Sequence, residues 1–345
     1  VAIGILFVGL RGRLAQKAPI RVGTAFFSNY AFPNQLGLNP VFTFTRSYFD
    51  AMNPENRALK LINNNQAILK VQKYFNIDSM SHFISPIARE VKTIGKPINA
   101  NVVVVIMESM SSSKMQRYGN SDNLTPVLDS LAKNSYCFDN IYTAGIHTFN
   151  GIFSTLFSYP ALLHQHPMNN VSILEYTGFP KVLINNGYQT IFFTTHDEQF
   201  DNVSGFLHAN NIQKIVSQKD YPSKNILSTL GVTDDYMFEF SIPVLTELSS
   251  NGKPFLAAFM TSSDHGPYII PKDIPFKAHS KDMGHQIIEY ADWSIGKFIS
   301  LASKHEWFAN TIFVFVADHG AIMGSDVYDM PLSYDGFVDI GTEGD

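Results

Sequence analysis

The chain has 345 residues, of which 45% are hydrophobic and 16% charged, and its formal net charge is −5. A chain of this length can bury a large core, so one large α/β domain is as natural as two. The weak negative charge gives no indication of nucleic-acid binding. The single cysteine, Cys137, excludes an internal disulfide. It lies in the strand-like stretch YCFDNIY, which predicts a buried structural thiol rather than a nucleophile.

Residues 1–97 predict a connector rather than a second folded domain. Residues 1–10 (VAIGILFVGL) are uniformly apolar, but a bilayer needs about 20 such residues. They are either a buried strand or helix, or the last part of a transmembrane helix that begins upstream, and they fit a signal peptide poorly. The rest of this part predicts an extended segment, two helices and a linker, at residues 18–40, 41–57, 58–75 and 79–97.

From residue 98 onward, apolar strands alternate with helical patterns, as in a mostly parallel sheet covered by helices. Four strand-like runs end directly at polar side chains: Glu108, His196-Asp197, Asp264-His265 and Asp318-His319. In such sheets, functional side chains collect just beyond the carboxyl ends of the strands. One such acid alone would be a capping or turn carboxylate. The three strand ends that carry Glu108, Asp264 and Asp318, taken with the threonine described next, indicate a metal site.

Thr148 lies between a β-rich lead-in, at residues 136–143, and a helix-like apolar run that begins near Ile152. We therefore expect it at a helix N-terminus, where free amides and the positive end of the helix dipole favour an anion. A threonine hydroxyl is a poor nucleophile at its ordinary pKa, so a base or a metal must activate it. The strand-end residues predict that metal.

Several other polar residues fit structural roles at least as well as functional ones. Helical patterns cover residues 123–134, 233–248 and 284–303. We expect the polar residues of the third helix to be mostly packing or surface groups: His285, Tyr290, Asp292 and Trp293. His164 and His166 have the i, i+2 spacing of a metal pair, although a rim position beside Pro167 is at least as natural.

The order of these motifs is a strand-end glutamate, a threonine before a helix, SSDHGPY at residues 262–268 and ADHG at residues 317–320. It resembles the alkaline phosphatase superfamily and, more narrowly, the branch of lipoteichoic acid synthases and phosphoglycerol transferases, often called sulfatases. The resemblance runs from about residue 98 to about residue 332. It implies an α/β fold, an alkaline-phosphatase-like three-layer sandwich with a mostly parallel central sheet and helices on both faces. The catalytic domain would be residues 98–345, with its C-terminal part incomplete.

The resemblance also implies roles for individual residues. The metal ligands would be Glu108, Thr148, Asp318 and His319. Thr148 would be the nucleophile, and the substrate-side catalytic histidines would be His265 and, with a weaker match, His196. Further candidates for substrate binding are His147, whose side chain can equally point away, and Asp197 and Asn202 on the loop after residues 188–195.

The predicted ligand set suits one divalent cation. Carboxylate oxygens with one imidazole favour Mn²⁺ or Mg²⁺, with Zn²⁺ close behind, and Mn²⁺ is our first choice. The cation would lower the hydroxyl pKa of Thr148 and polarise a phosphoryl oxygen. In-line attack on a phosphodiester would give a phosphothreonine intermediate, which an alcohol or water resolves. His265 and His196 would steady oxygens or protonate the leaving alkoxide.

These expectations lead to a phosphoglycerol-type transferase acting on a phospholipid or glycan at the extracytoplasmic face of a bacterial cytoplasmic membrane. An upstream transmembrane region would anchor it, as the resemblance implies. A phosphodiesterase or sulfatase-type hydrolase and a metal-free binding module remain as alternatives. Formylglycine sulfatases need Cys or Ser followed by x-Pro-x-Arg, whereas residues 147–151 read HTFNG, so true sulfatase activity is disfavoured. Phosphoethanolamine transferases are usually rich in disulfides, which one cysteine argues against.

Overall fold

The computed structural model of the chain describes residues 2–11, 25, 31–52, 62–77, 85–89, 95–96, 98–160, 166–169 and 173–321. Before residue 98 it contains the helices α1 (Ala2–Arg11), α2 (Ala31–Leu36), α3 (Pro40–Met52) and α4 (Asn64–Tyr74). In this described part of the chain, no helix combines the length and the apolar character that crossing a bilayer requires.

A parallel sheet of five strands forms the centre of the structure described after residue 98. The strands are β1 (Asn101–Met107), β2 (Gln189–Thr194), β3 (Lys214–Val216), β4 (Phe255–Met260) and β5 (Thr311–Ala317). Their order is β3-β2-β4-β1-β5, and every pairing is parallel. The apolar run NVVVVIM suits β1, because an inner strand of such a sheet is covered on both faces. All seven residues of β1 are buried.

The side chains of β1 alternate between two hydrophobic cores, one on each face of the sheet. The helices of this part are α5 (Pro126–Ala132), α6 (Thr148–Phe157), α7 (Phe179–Asn185), α8 (Val203–Ala209), α9 (Asp234–Ser250) and α10 (Met283–Ala302). Val103 and Val105 pack with α9 and α10, whereas Val102 and Val104 pack with α6 and α8. The predicted three-layer α/β sandwich with a parallel sheet is therefore confirmed.

Two expectations about the segment before Thr148 are wrong. Residues 136–143 form no strand but lie in irregular structure, and Tyr136 is 98% exposed. Cys137 is exposed rather than buried. Alternating aromatic residues suit a strand, but a strand also needs partners for its backbone groups. None of the described strands pairs with this segment.

The predictions for the N-terminal part are met only in places. The helical patterns at residues 41–57 and 58–75 correspond to α3 and α4. The extended segment predicted at residues 18–40 contains α2, which is too short, at six residues, to display a helical period. Most of the predicted linker and residues 322–345 lie outside the described residues. The division into a connector and a catalytic domain stays a prediction.

Candidate metal centre and its nucleophile

Glu108 and Asp318 lie side by side because their strands are neighbours in the sheet. Met107 pairs with Ala317 in the register of β1 and β5, so the next residue of each strand emerges at the same edge. His319 follows, and its Nε2 is 3.6 Å from Glu108 Oε1 and 3.4 Å from Asp318 Oδ2. One ligand atom from each of the three residues lies within 4.8 Å of the others, so this group can hold a metal ion.

Thr148 is the first residue of α6, as predicted. Its hydroxyl donates a hydrogen bond of 3.3 Å to Glu108 Oε2. Gly151 lets α6 approach the loop after β5, because a Cβ at this position would lie 2.5 Å from the Cα of Asp318. A larger residue would therefore push the helix and the loop apart. This close approach brings Thr148 beside the three candidate ligands.

The two carboxylates of the group are buried, where an uncompensated charge is costly. Glu108 is 4% exposed, and burial, followed by the charge of Asp318, raises its pKa to about 8. Asp318 Oδ1 accepts hydrogen bonds from the amides of Ser109 and His319, at 2.9 and 2.7 Å. The buried Oδ2 of Asp318 has no hydrogen-bond partner among the described residues. An orphaned oxygen beside a second carboxylate and an imidazole fits a divalent cation.

Asp264, which follows β4, is paired with a lysine instead of joining this group. Its Oδ2 is 2.5 Å from Nζ of Lys114, and both side chains are buried. The same Nζ lies 2.6 Å from the carbonyl oxygen of Ser109. The sequence predicts Asp264 as one of the strand-end acids that indicate a metal site, although not as a ligand, and gives Lys114 no role. No local pattern could reveal this pair, since its members are 150 residues apart.

A buried acid of α9 shapes the loop after β4. Asp234 accepts hydrogen bonds from the amides of Ser262 and Ser263, at 2.8 and 3.1 Å. Burial raises the pKa of Asp234 to about 6. Asp234 is the first residue of α9, which corresponds to the helical pattern at residues 233–248. The sequence alone gave no signal that it would hold a distant loop.

His265 lines an open cleft of about 410 Å³ beside the candidate ligands. Other residues that line this cleft include Ser109, Lys114, Tyr268 and His285. The side chain of His265 is exposed, and its Nδ1 lies 2.7 Å from the carbonyl oxygen of Gly266. His196 follows β2, and its Nδ1 is 2.9 Å from the hydroxyl of Thr194. The catalytic roles of both histidines stay predictions.

The other predicted substrate-binding residues have different surroundings. His147 is the N-cap residue of α6, and its ring stacks on Phe149 with centroids 5.5 Å apart. Asp197 accepts a hydrogen bond of 3.1 Å from the amide two residues further along. Asn202 is 1% exposed and donates a hydrogen bond of 2.5 Å to the carbonyl oxygen of Met168, so its side-chain nitrogen is engaged within the fold. Substrate binding by these residues stays a prediction.

His164, one member of the predicted metal pair, lies outside the described residues. His166 stacks on Phe149 with ring centroids 3.7 Å apart. Its Nε2 is 3.6 Å from Asp201 Oδ2. The described member of the pair thus packs against the helix that begins with Thr148.

Sequence comparisons identify relatives of this chain. Residues 100–337 match the sulfatase family. Lipoteichoic acid synthase 2 of Bacillus subtilis is 26% identical over 241 residues, which cover 66% of this chain and 36% of that protein. A lipoteichoic acid synthase-like protein of the same bacterium is 25% identical over 232 residues, or 64% of this chain and 37% of that protein. The chain spans about a third of the length of these relatives.

Solved structures share the fold. A protein of the alkaline phosphatase superfamily from Vibrio parahaemolyticus has a TM-score of 0.69 at 24% identity, over 77% of this chain and 66% of that one. The lipoteichoic acid synthase LtaP from Listeria monocytogenes has a TM-score of 0.55 at 24% identity, over 65% and 57% of the two chains. The alkaline-phosphatase-like fold expected from the sequence is therefore confirmed. The family match covers more than half of the residues, and the chain belongs to the sulfatase family.

Proposed function

We propose that this chain carries the catalytic centre of a metal-dependent, phosphoglycerol-type transferase, which attacks a phosphodiester of a lipid or glycan headgroup through Thr148. The observation that carries the proposal is the 3.3 Å hydrogen bond from the Thr148 hydroxyl to Glu108, itself one of three clustered candidate ligands. A hydroxyl that contacts a candidate ligand at a helix N-terminus is well placed to become a nucleophile.

Glu108, Asp318 and His319 would hold the divalent cation, together with the oxygen of Thr148. Oxygen-rich ligands with one imidazole suit Mn²⁺, with Mg²⁺ and Zn²⁺ as alternatives. When bound, such a cation supplies Lewis acidity that lowers the pKa of a hydroxyl group and offsets phosphoryl charge. The orphaned, buried Oδ2 of Asp318 supports this assignment.

The residues of the chain itself would guide the phosphoryl group. Free amides at the start of α6 favour an anionic oxygen. Attack by Thr148 Oγ1, which gives up its hydroxyl proton, would form a bond to phosphorus and break the bond to the leaving alcohol, which takes up a proton. His265 or His196 would donate that proton, because an imidazole can carry one near neutral pH. An acceptor alcohol would then attack the phosphothreonine and restore Thr148, whereas in a hydrolase water would do so.

The relatives support the proposed substrate class and cellular location. Two curated relatives carry the name of lipoteichoic acid synthase or a protein like it, which favours a substrate anchored in a membrane. We therefore place the centre at the extracytoplasmic face of a bacterial cytoplasmic membrane, in a protein anchored by a transmembrane region beyond this chain. His147, Asp197 and Asn202 would line the substrate side of the centre.

The proposal is tested by trapping the intermediate on Thr148. The protein is incubated with Mn²⁺ and phosphatidylglycerol, quenched in acid, and analysed by peptide mass spectrometry. We expect a glycerophosphate adduct on Thr148 in the wild type and in the control Thr143→Ala, which removes an exposed threonine of the preceding loop. The variant Thr148→Ala should lack the adduct and the release of diacylglycerol.

Three outcomes would contradict the transferase. Release of diacylglycerol at the wild-type rate by Thr148→Ala would exclude this nucleophile. An adduct that only water resolves, even with excess glycerol or glycolipid present, would indicate the phosphodiesterase. Failure of the wild type to bind Mn²⁺ or to form any adduct would favour the metal-free binding module.

A further inference from the structure

We propose that Lys114 is a positioning residue of the metal centre, because its buried ammonium group ties the loop that presents Glu108 to the loop that presents His265. The inference rests on the proposed function, since it gives Lys114 a part in binding the cation. Lys114 would act through the two residues that it contacts, Ser109 and Asp264, and not on the substrate itself.

The contacts of Lys114 join two strand ends that are distant in sequence. Its side chain is 2% exposed, and Nζ lies 2.6 Å from the carbonyl oxygen of Ser109 and 2.5 Å from Asp264 Oδ2. Ser109 directly follows Glu108, and Asp264 directly precedes His265. A lysine is almost never fully buried unless it is paired. The two contacts therefore fix both loops with respect to the same ammonium group.

Ser109 needs this support because its backbone is in the left-handed region, with a φ of 54°. A residue with a side chain holds such a conformation only where its surroundings over-determine it. At Ser109 the amide donates to Asp318 at 2.9 Å and the hydroxyl donates to Glu108 at 3.0 Å. The third contact is the carbonyl oxygen, which accepts from Lys114. This turn directs the Glu108 side chain, so loss of Lys114 loosens a candidate ligand.

Asp264 is the second reason why the buried ammonium group of Lys114 is needed here. Burial raises the pKa of Asp264, the charge of Lys114 lowers it, and the charge of Asp318 raises it again. Asp264 is thus a third buried carboxylate that feels the charge of the centre. Pairing with Lys114 compensates its charge and keeps it on its own loop. Without Lys114, Asp264 would be left as a buried charge with its ion-pair partner removed, which strongly destabilises a fold.

The test separates the tether from simple charge compensation. We compare the wild type with Lys114→Met and with Lys114→Met/Asp264→Asn, in which the loss of Lys114 no longer leaves a buried charge at position 264. The matched control is Lys297→Met, which breaks another ion pair, to the buried Asp235, at 3.0 Å. Three quantities are measured: the thermal midpoint with chelator, the hydrogen exchange of residues 108–114 and 262–266 with chelator, and the dissociation constant of Mn²⁺.

We expect Lys114→Met to have a lower thermal midpoint than the wild type, and the double variant to recover most of this loss. In the double variant both loops should still exchange faster, and Mn²⁺ should bind about 10- to 100-fold more weakly, as for other partners of metal ligands. Lys297→Met should lower the midpoint while leaving both loops and the Mn²⁺ affinity unchanged.

If both loops of the double variant exchange hydrogen as slowly as they do in the wild type, Lys114 does not hold the two loops together. The double variant could exchange hydrogen faster in both loops and still bind Mn²⁺ within about twofold of the wild-type affinity, well below the usual effect of such partners. That result would overturn the positioning role. If the wild type binds none of Mn²⁺, Mg²⁺ and Zn²⁺, the proposed function fails and the positioning role fails with it. The exchange measurement then still decides whether Lys114 joins the two loops.

Discussion

Glu108→Gln should stabilise the metal-free protein at alkaline pH while removing its response to Mn²⁺. Glu108 is 4% exposed beside Asp318, and its pKa is about 8 in place of the ordinary 4.5. The folded chain therefore holds the proton of Glu108 more tightly than the unfolded chain. Its contribution to stability is complete below about pH 4.5 and is lost as the pH rises to about 8. Glutamine resembles the protonated acid and does not ionise, so it avoids this loss.

The magnitude follows from the two pKa values. Each pH unit above the unfolded pKa and below the folded pKa costs about 1.4 kcal/mol. The raised pKa of Glu108 therefore lowers the free energy of unfolding by about 4 kcal/mol at pH 8 and by about 1 kcal/mol at pH 5. In urea titrations with chelator, the advantage of Glu108→Gln over the wild type should grow by about 3 kcal/mol between these pH values. The exposed Glu247 provides the control Glu247→Gln, which should show no such growth.

Adding Mn²⁺ should close most of the gap between the two proteins at pH 8. A ligand at 100 times its dissociation constant stabilises the folded state by about 2.7 kcal/mol, and Glu108→Gln should lose most of that gain. An advantage of the variant that stays constant from pH 5 to pH 8 would refute a buried, charge-coupled Glu108. Equal stabilisation of both proteins by Mn²⁺ would refute its place among the metal ligands.

Three further substitutions test contacts between elements of the fold. Gly151→Ala should lower the free energy of unfolding by about 1–3 kcal/mol and weaken Mn²⁺ binding, because its Cβ would lie 2.5 Å from the Cα of Asp318. Urea titrations measure the first effect and Mn²⁺ titrations the second. Asp292→Ala should cost about 2 kcal/mol in urea unfolding, because Asp292 accepts hydrogen bonds of 2.8 and 2.9 Å from the first amides of α5. Gly231→Ala should lower the thermal midpoint more than Gly187→Ala. Both glycines have positive φ, at 81° and 86°, but only at Gly231 would a Cβ meet a carbonyl oxygen, at 1.9 Å.

The layers of the fold and the start of α6 could be predicted because their signals are local. A run such as NVVVVIM predicts a buried strand wherever it lies, and its abrupt end marks the edge where Glu108 emerges. The apolar spacing after Thr148 likewise predicted the first turn of a helix. These signals do not specify which strands are neighbours. Glu108 and Asp318 meet only because β1 and β5 pair.

What the sequence left unpredicted depends on distant partners. Lys114 and Asp264 form their ion pair across 150 residues, and neither has a local pattern that names the other. Asp234 holds the loop after β4 from another element. Residues 136–143 were wrongly predicted to form a strand. Their alternating aromatic residues suit a strand, but no described strand pairs with them. Asp292, which the sequence predicts as a packing or surface group, caps α5 instead. No local pattern predicts this contact, because Asp292 and α5 lie far apart in the sequence.

The proposed function depends most directly on the metal centre, and elemental analysis tests whether the protein binds a metal. The purified protein is incubated with Mn²⁺, desalted and measured beside Asp318→Asn and the exposed control Asp122→Asn. We expect about one equivalent of divalent metal per chain in the wild type and the control, and its loss in Asp318→Asn, because this substitution removes the negative charge of one of the three clustered ligands. A wild type that holds no metal, or an Asp318→Asn variant that keeps a full equivalent, would contradict the proposed metal centre.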